Sequence, residues 1–592
     1  MLTKNQFQVL YKLYRNNIQT QRQISSETGL SLGVVNEAIH TMTNMGYLEG
    51  YRLTSKGTAE LDYYKVDNAI IMAAGLSSRF APLSYEKPKG LLSVKGEVLI
   101  ERQIRQLREA GIENIIVVVG YMKEEFFYLE EKYHVKLIIN AEYSKRNNNS
   151  TLYLVRKYLA NTYICSSDNY FVDNVFASHV YQSYYSAVYQ EGETDEYCLK
   201  TGRKDRIDHV TIGGRDSWIM LGHVYFSKDF SKKFVKILEQ VYLLPETKNM
   251  LWEDIYIEHI DELDMYIQKY DAQRILEFDS LDDLRTFDSK YINNADSKIL
   301  GNICKILKCH EQNIINFIPI KKGLTNTSFL FTCNGQKYIY RHPGAGTQEI
   351  INRKSEAFSM SVAQKLNLDD TYIYMSPKEG WKISRYIENA ADMDYRNDAD
   401  VHSALKLLRT LHDGGITSEF KFNVYSEIKK MVQIVLKEKG HSINGFDELY
   451  ELINTLYKFV EKDGLPKKLC HNDCFDRNFL KSGDKMFLID WEYSGNADPA
   501  GDLGTFICCS DYTFDEAIKI LQIYFGRPMT DLEYRHYIAY IAISSFYWYV
   551  WALYKESKGE TIGEYLYIWY RYANSYGKTA LESYKPYINF IK

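Results

Sequence analysis

The run His471-Asn472-Asp473-Cys474-Phe475-Asp476-Arg477-Asn478, followed past the hairpin-like stretch FLKSGDKMFLID by Trp491-Glu492-Tyr493, constrains the fold of this chain more than any other feature. Transfer of a phosphoryl group to an alcohol needs a carboxylate to receive the hydroxyl proton. It also needs ligands that hold magnesium on the nucleotide phosphates. Asp473 fits the first role, and Asn478 and Asp490 fit the second, while His471 reads as a brace for the loop. Upstream, Gly323-Leu324-Thr325-Asn326 precedes a strand and is suited to cover phosphates. The stretch SFLFTCNGQKYIYRHPG reads as a β-hairpin around an Asn-Gly turn, with a helix from about Thr347 and a mostly helical remainder. The expectation is a bilobal phosphotransferase, a small β-rich lobe followed by a helical one.

A second pattern begins at Asn68. NAIIMAAG is an apolar strand meeting a glycine turn, Ile100 to Ala110 an amphipathic helix, and IIVVVG, VKLIIN and TYICSSD further buried strands. Strands separated by helices predict a doubly wound α/β sheet, whose ligands bind at the carboxyl ends of the strands. There the loop Gly75-Leu76-Ser77-Ser78-Arg79 and the turn Pro88-Lys89-Gly90 can wrap a triphosphate with backbone N–H groups, Arg79 and Lys89 neutralising it. The loop is neither a Walker A nor a dinucleotide fingerprint. Nucleotidyl transfer between two anionic phosphates requires a divalent metal. Asp168 is the natural first ligand, and Trp252-Glu253-Asp254 offers the second carboxylate, unless that pair only begins a helix. Tyr197, Trp218 and Tyr225 are candidates for an aromatic cage around a cation.

Residues 1–65 read as three short helices and a hairpin-like run, GYLEGYRLTSKGTAEL, which is a winged helix-turn-helix pattern. Seven Lys and Arg against five Asp and Glu make its basic bias slight, so DNA and a docking role both stay open. The polar, acidic stretch from Asp279 to Ser297 places a boundary near residue 296, giving domains 1–65, 66–295 and 296–592. A net charge of −5 gives no whole-chain reason to expect nucleic acid or acidic membranes. Nine scattered cysteines without metal spacing and an N-terminus without an apolar leader point to the cytoplasm. The uncharged segment Tyr537 to Tyr554 carries aromatic and hydroxyl residues throughout, so a buried helix is expected rather than stable membrane insertion. Oligomeric state is left open.

The motifs GLTN, HND and IDWEYSGNADPAGDL resemble those of choline and ethanolamine kinases over about residues 300 to 580. That resemblance implies that Arg341 grips the phosphates with Glu356 as its ion-pair partner, and that Trp548, Trp551, Tyr493 and the acidic Glu492 bind the amine. AAGLSSRFAPLSYEKPKGLL resembles the opening of nucleotidyltransferases acting on sugar phosphates and phosphocholine, which implies that Asn147 and Asn148 lie near the base and the acceptor. The N-terminal stretch resembles MarR-like regulators. Together the two enzyme parts resemble the bacterial Lic-type choline kinase and phosphocholine cytidylyltransferase in one chain. The implied reactions convert choline and ATP to phosphocholine, then phosphocholine and CTP to CDP-choline and pyrophosphate, with Mg²⁺. Ethanolamine, an aminoalkyl phosphonate or a sugar alcohol as substrate stays open, as does a transcriptional regulator that uses the enzyme domains as ligand sensors.

Overall fold

The computed structural model describes residues 1–16, 20–320, 326–344, 352–439, 443–557 and 562–587. The chain divides into two compact units, Met1–Pro319 and Ile320–Lys592.

In the first unit, the helices Lys4–Arg15, Gln21–Thr28 and Leu32–Asn44 start where Thr3, Thr20 and Ser31 accept hydrogen bonds from backbone N–H groups of the first turn. Their apolar faces bury Val9, Leu10, Ile24, Val35 and Met42 in one small core. The wing is shorter than the sequence suggests. Only Leu48–Glu49 and Arg52–Leu53 pair, and the rest of the hairpin-like run is the helix Ser55–Asp62, because Thr54 accepts from the Gly57 N–H and nucleates a turn. This winged helix packs on the loop after residue 176: Tyr64 stacks on Tyr181, and Tyr64 and Val66 exchange backbone hydrogen bonds with Val180 and Ser178.

The sheet that follows has seven strands in the order Tyr266–Tyr270, Tyr184–Thr201, Ile207–Phe226, Thr162–Ser166, Asn68–Ala73, Ile115–Val119, Lys136–Ile139. Asn68–Ala73 runs parallel to both its neighbours, whereas Ile207–Phe226 is antiparallel, so the sheet is mixed. Alternation along Asn68–Ala73 sends Ala69, Ile71 and Ala73 to the core with the Leu99–Glu109 helix and Ile70 to the core with Phe234 and Trp252. The stretch from Asp279 to Ser297 is less irregular than its composition suggests. It forms the helices Leu281–Phe287 and Lys290–Asn293, which bury Leu281, Leu284 and Tyr291.

In the second unit, Asn326–Cys333, Gln336–Pro343, Lys382–Arg385 and Tyr372–Met375 are successive antiparallel neighbours. Asn334 and Gly335 turn the hairpin with φ of 50° and 77°, the left-handed pair that a two-residue turn demands. The helix Arg353–Lys365 packs on this sheet; the expected start at Thr347 and the loop Gly323-Leu324-Thr325 lie outside the described residues. The larger lobe is helical around one core. Tyr537 to Tyr554 lies within its helix Asp531–Ser557, mostly buried, and no helix of the described residues is long and apolar enough to cross a membrane.

Candidate active sites

The strand Lys468–Cys470 ends at His471, and the loop beyond it is held by Asp502 on the helix Pro499–Cys508. Asp502 accepts from the backbone N–H of His471 (2.9 Å) and of Asn472 (2.6 Å), and pairs with His412 at 2.9 Å. His471 Nε2 donates to the Ile489 carbonyl (2.8 Å), while its Nδ1 accepts from the Asp473 N–H (3.3 Å). Asn472 Nδ2 donates to the Tyr493 carbonyl (3.0 Å). These bonds tie the two polar loops together, so His471 braces them.

Asp473, Asn478, Asp490, Glu492, Arg341 and Glu356 converge. Asn478 Nδ2 donates to the Asp473 carbonyl (2.8 Å) and to Oδ2 (3.0 Å), and leaves the buried Asp473 Oδ1 without a hydrogen-bond partner. Burial, and then the charges of Asp490 and Glu492, push the Asp473 carboxyl well above the usual carboxylate range. Arg341 bonds Glu356 and lies 3.1 Å from Asp490 Oδ1 and 3.9 Å from Glu492 Oε2. Burial disfavours the Asp490 charge, but Lys382 and Arg341 outweigh it and hold its carboxyl below the ordinary range. Asn326 begins its strand.

Aromatic side chains gather around the helix that carries Asp502. Trp548 is buried, its Nε1 donating to Thr505 Oγ1 (3.2 Å), with the Trp551 ring edge-on at 5.5 Å and Trp569 at 5.9 Å. The charges of Asp473 and Glu492 reach the hydroxyls of Tyr493 and Tyr547, both raised mainly by burial. Sequence reasoning passes over Asp502, Lys382, Tyr547 and Trp569. Only Asp502 carried a signal, the GDL that closes the second motif.

In the first unit, Asn68–Ala73 and Thr162–Ser166 are parallel neighbours, so their loops leave the sheet at one edge, and the Ser167 N–H donates to the Met72 carbonyl (3.1 Å). Gly75 to Ser78 form the first loop, with Ser77 at φ 46°. Arg79 is exposed, 3.6 Å from Asp279 Oδ1. Lys89 is buried with Nζ 2.9 Å from Asp168 Oδ2 and 4.0 Å from Glu277 Oε1. The turn approaches so closely that a Cβ on Gly90 would lie 2.7 Å from Ser167 Oγ.

The acidic neighbours of Asp168 therefore differ from those expected. Ile275–Leu276 pairs with Tyr170–Phe171, just beyond Asp168, and this delivers Glu277 to Lys89. Burial and then the Asp168 charge raise the Glu277 carboxyl, against the pull of Lys89. Glu253 and Asp254 are engaged elsewhere. Asn148 Nδ2 (3.1 Å) and the Tyr185 hydroxyl (3.2 Å) donate to Glu253, and burial pushes it up to about 7. Asp254 accepts from the Tyr197 hydroxyl (2.7 Å) and from the Leu251 N–H (2.7 Å) that opens its own helix. Asn147 Nδ2 donates to the Asn249 carbonyl (3.1 Å). Trp218 sits edge-on to Tyr189, with Lys269 over it at 5.3 Å. Tyr225 is fully buried between Tyr163 and Tyr184, its faces taken by protein, so it is no part of an open cage.

Both clusters offer oxygen donors only, and in both a carboxylate is raised by burial beside another carboxylate. The partnerless Asp473 Oδ1 and the raised Glu277 are what a site short of positive charge displays. Such donor sets fit Mg²⁺.

Three family models match: choline/ethanolamine kinase over residues 317–525, MobA-like NTP transferase domain over 69–217, and winged helix-turn-helix DNA-binding over 2–49. A choline-phosphate cytidylyltransferase of Streptococcus pneumoniae is 37% identical over 217 residues, 37% of this chain and 95% of that protein. A 2-aminoethylphosphonate cytidylyltransferase of Lancefieldella rimae is 39% identical over 229 residues, 38% of this chain and 93% of the relative. The protein LicA of Haemophilus influenzae is 29% identical over 266 residues, 43% of this chain and 78% of the relative.

Proposed function

The chain belongs to the cytidylyltransferase family of the choline-phosphate and 2-aminoethylphosphonate enzymes, and on that premise we propose that it phosphorylates choline with ATP and then couples phosphocholine to CTP, releasing CDP-choline and pyrophosphate. Residues 1–65, 66–295 and 296–592 are its three functional parts. The carrying observation is the convergence of Asp473, Asn478 and Asp490, with Tyr493 and Tyr547 within reach of the Asp473 and Glu492 charges.

In the kinase reaction, Asp473 Oδ1 is free to accept the choline hydroxyl proton while the hydroxyl oxygen attacks the γ-phosphorus and ADP leaves. Asn478 and Asp490 would hold Mg²⁺, and Arg341, oriented by Glu356, grips the phosphates. Trp548, Trp551 and Tyr493 present ring faces and Glu492 a carboxylate to the trimethylammonium group, an attraction of ~1 to 2 kcal/mol per ring when desolvated.

In the cytidylyl transfer, a phosphocholine oxygen attacks the α-phosphorus of CTP. Lys89 and Arg79 bind the phosphates, and the backbone of Gly75, Ser77 and Ser78 wraps them. Asp168 with Glu277 would hold Mg²⁺ there, and Asn147 and Asn148 shape the acceptor side. At both sites Mg²⁺, when bound, supplies charge neutralisation on phosphate oxygens. Tyr197, whose hydroxyl bonds Asp254, and Glu253, which accepts from Tyr185, are assigned to the amine side of phosphocholine. The buried thiols of Cys165, Cys333, Cys474 and Cys508 suit a reducing cytoplasm.

The protein supplied with choline, ATP, CTP and Mg²⁺ is expected to form CDP-choline and pyrophosphate; absence of turnover with choline and with ethanolamine rejects the reading. The Lancefieldella relative supports an aminoalkyl phosphonate as a rival acceptor, which the same assay resolves by direct comparison. A second reading, duplex DNA binding through residues 1–65, is favoured by the three helices and wing and by the matching family.

A further inference from the structure

Lys382 opens the strand Lys382–Arg385 and pairs in register with Arg341 on Gln336–Pro343. Residues directly opposite in an antiparallel pair share a face, and like charges there repel. Both are nearly buried, with side-chain exposures of 13% and 6%. Lys382 Nζ lies 3.6 Å from Glu356 Oε1 and 3.5 Å from Asp490 Oδ1, two of the three carboxylates that Arg341 meets, Glu492 being the third. Glu356 does not need it, because Arg341 bonds one of its oxygens and Arg353 Nη1 lies 3.0 Å from the other. Of the two carboxylates within 4 Å of Lys382, that leaves Asp490, whose charge it does more than any other group to stabilise.

Asp490 is also a carboxylate assigned to the metal that accompanies the nucleotide. Once that metal shares Asp490, two cations face each other across the strands with part of their neutralising charge withdrawn. The groups able to restore balance are the phosphate oxygens of the nucleotide. We propose that Lys382 is a second phosphate-binding cation of the kinase site, forming with Arg341 a paired grip that selects a polyphosphate over a nucleoside. The inference rests on the kinase reading above and adds a binding residue to it.

The test uses the full chain as Lys382→Met and Lys382→Arg. Each is titrated at equilibrium with the magnesium complex of a non-hydrolysable ATP analogue and with adenosine, and then assayed for choline phosphorylation. Loss of one charge-assisted contact is expected to weaken the analogue about tenfold or more in the Met variant. Adenosine affinity stays within about twofold, the KM for ATP rises without the KM for choline, and the Arg variant recovers most of the loss. An unchanged affinity for the analogue overturns the proposal. So does an equal loss for analogue and adenosine, which would mean that Lys382 only supports the lobe. Failure of the kinase reading looks different: the parent chain phosphorylates no amino alcohol, while the contrast between analogue and adenosine still reports on Lys382.

Discussion

Asn472 and Asp490 both hold left-handed backbone conformations, with φ of 65° and 64°, at a cost of order 1 kcal/mol or more for each non-glycine residue. The bonds from Asp502 to the loop backbone and from Asn472 to Tyr493 offset that cost, and they aim Asp473 and Asp490 at one space. In the other unit Glu253 shows the opposite economy, a carboxyl raised to about 7 by burial in spite of two donors. Its folded form binds a proton more tightly than the unfolded chain, whose carboxyl titrates near ~4.3. The stability this contributes is complete below that value and is lost as pH rises toward 7, by ~4 kcal/mol in all. Glu253→Gln is therefore expected to gain in melting temperature relative to the parent between about pH 5 and pH 8, and a flat difference between the two curves refutes the shift. If Glu253 faces the amine of phosphocholine, the parent KM also rises as pH falls through 7, and the variant does not share that rise. Residues that carry chemistry within one contiguous motif, such as Asp473 and Asn478, were legible in the sequence. Glu277 and Lys382 were not, because each reaches its site through strand pairing with a distant segment.

At the scale of elements, periodicity and turn chemistry located the strands around Asn68 and Ile115 and the Asn334-Gly335 hairpin. The seven-strand order, and the antiparallel insertion of Ile207–Phe226 beside Thr162–Ser166, depend on pairings that no local pattern encodes. The wing is shorter than its sequence pattern because Thr54 can end a strand or cap a helix, and here it caps. Docking of Phe7, Tyr11 and Tyr64 against Tyr181 and His179 occupies one face of the winged helix and leaves Asn36, Glu37, His40 and Asn44 of the helix Leu32–Asn44 exposed. Cations beside that face are few, with Arg22, Arg52 and Lys56 exposed. Duplex binding through this surface is thus expected to be modest and salt-dependent. Arg52→Ala should lower the slope of log affinity against log salt by about one. Affinity unaffected by deletion of residues 1–65 would remove this element from any role on DNA.

At the scale of the molecule, each compact unit buries its own core and carries its own acidic cluster, so the two reactions are chemically separable although one chain performs both. Asp473 and Lys89 probe this separation because each is buried at the centre of one cluster. Asp473→Ala removes the proton acceptor and is expected to lower phosphocholine formation by about 10² to 10⁴. The same variant should still convert supplied phosphocholine and CTP to CDP-choline at the parent rate. Lys89→Ala removes a cation from the triphosphate site, for a loss of about 10² to 10³ in cytidylyl transfer if it acts on developing charge. That chain should accumulate phosphocholine from choline and ATP. Quantifying phosphocholine and CDP-choline together in both variants separates the outcomes. If Asp473→Ala abolished CDP-choline formation even from phosphocholine, the units could not be independent catalysts. If Lys89→Ala made CDP-choline undiminished, the glycine turn beside Asp168 would not be where CTP reacts.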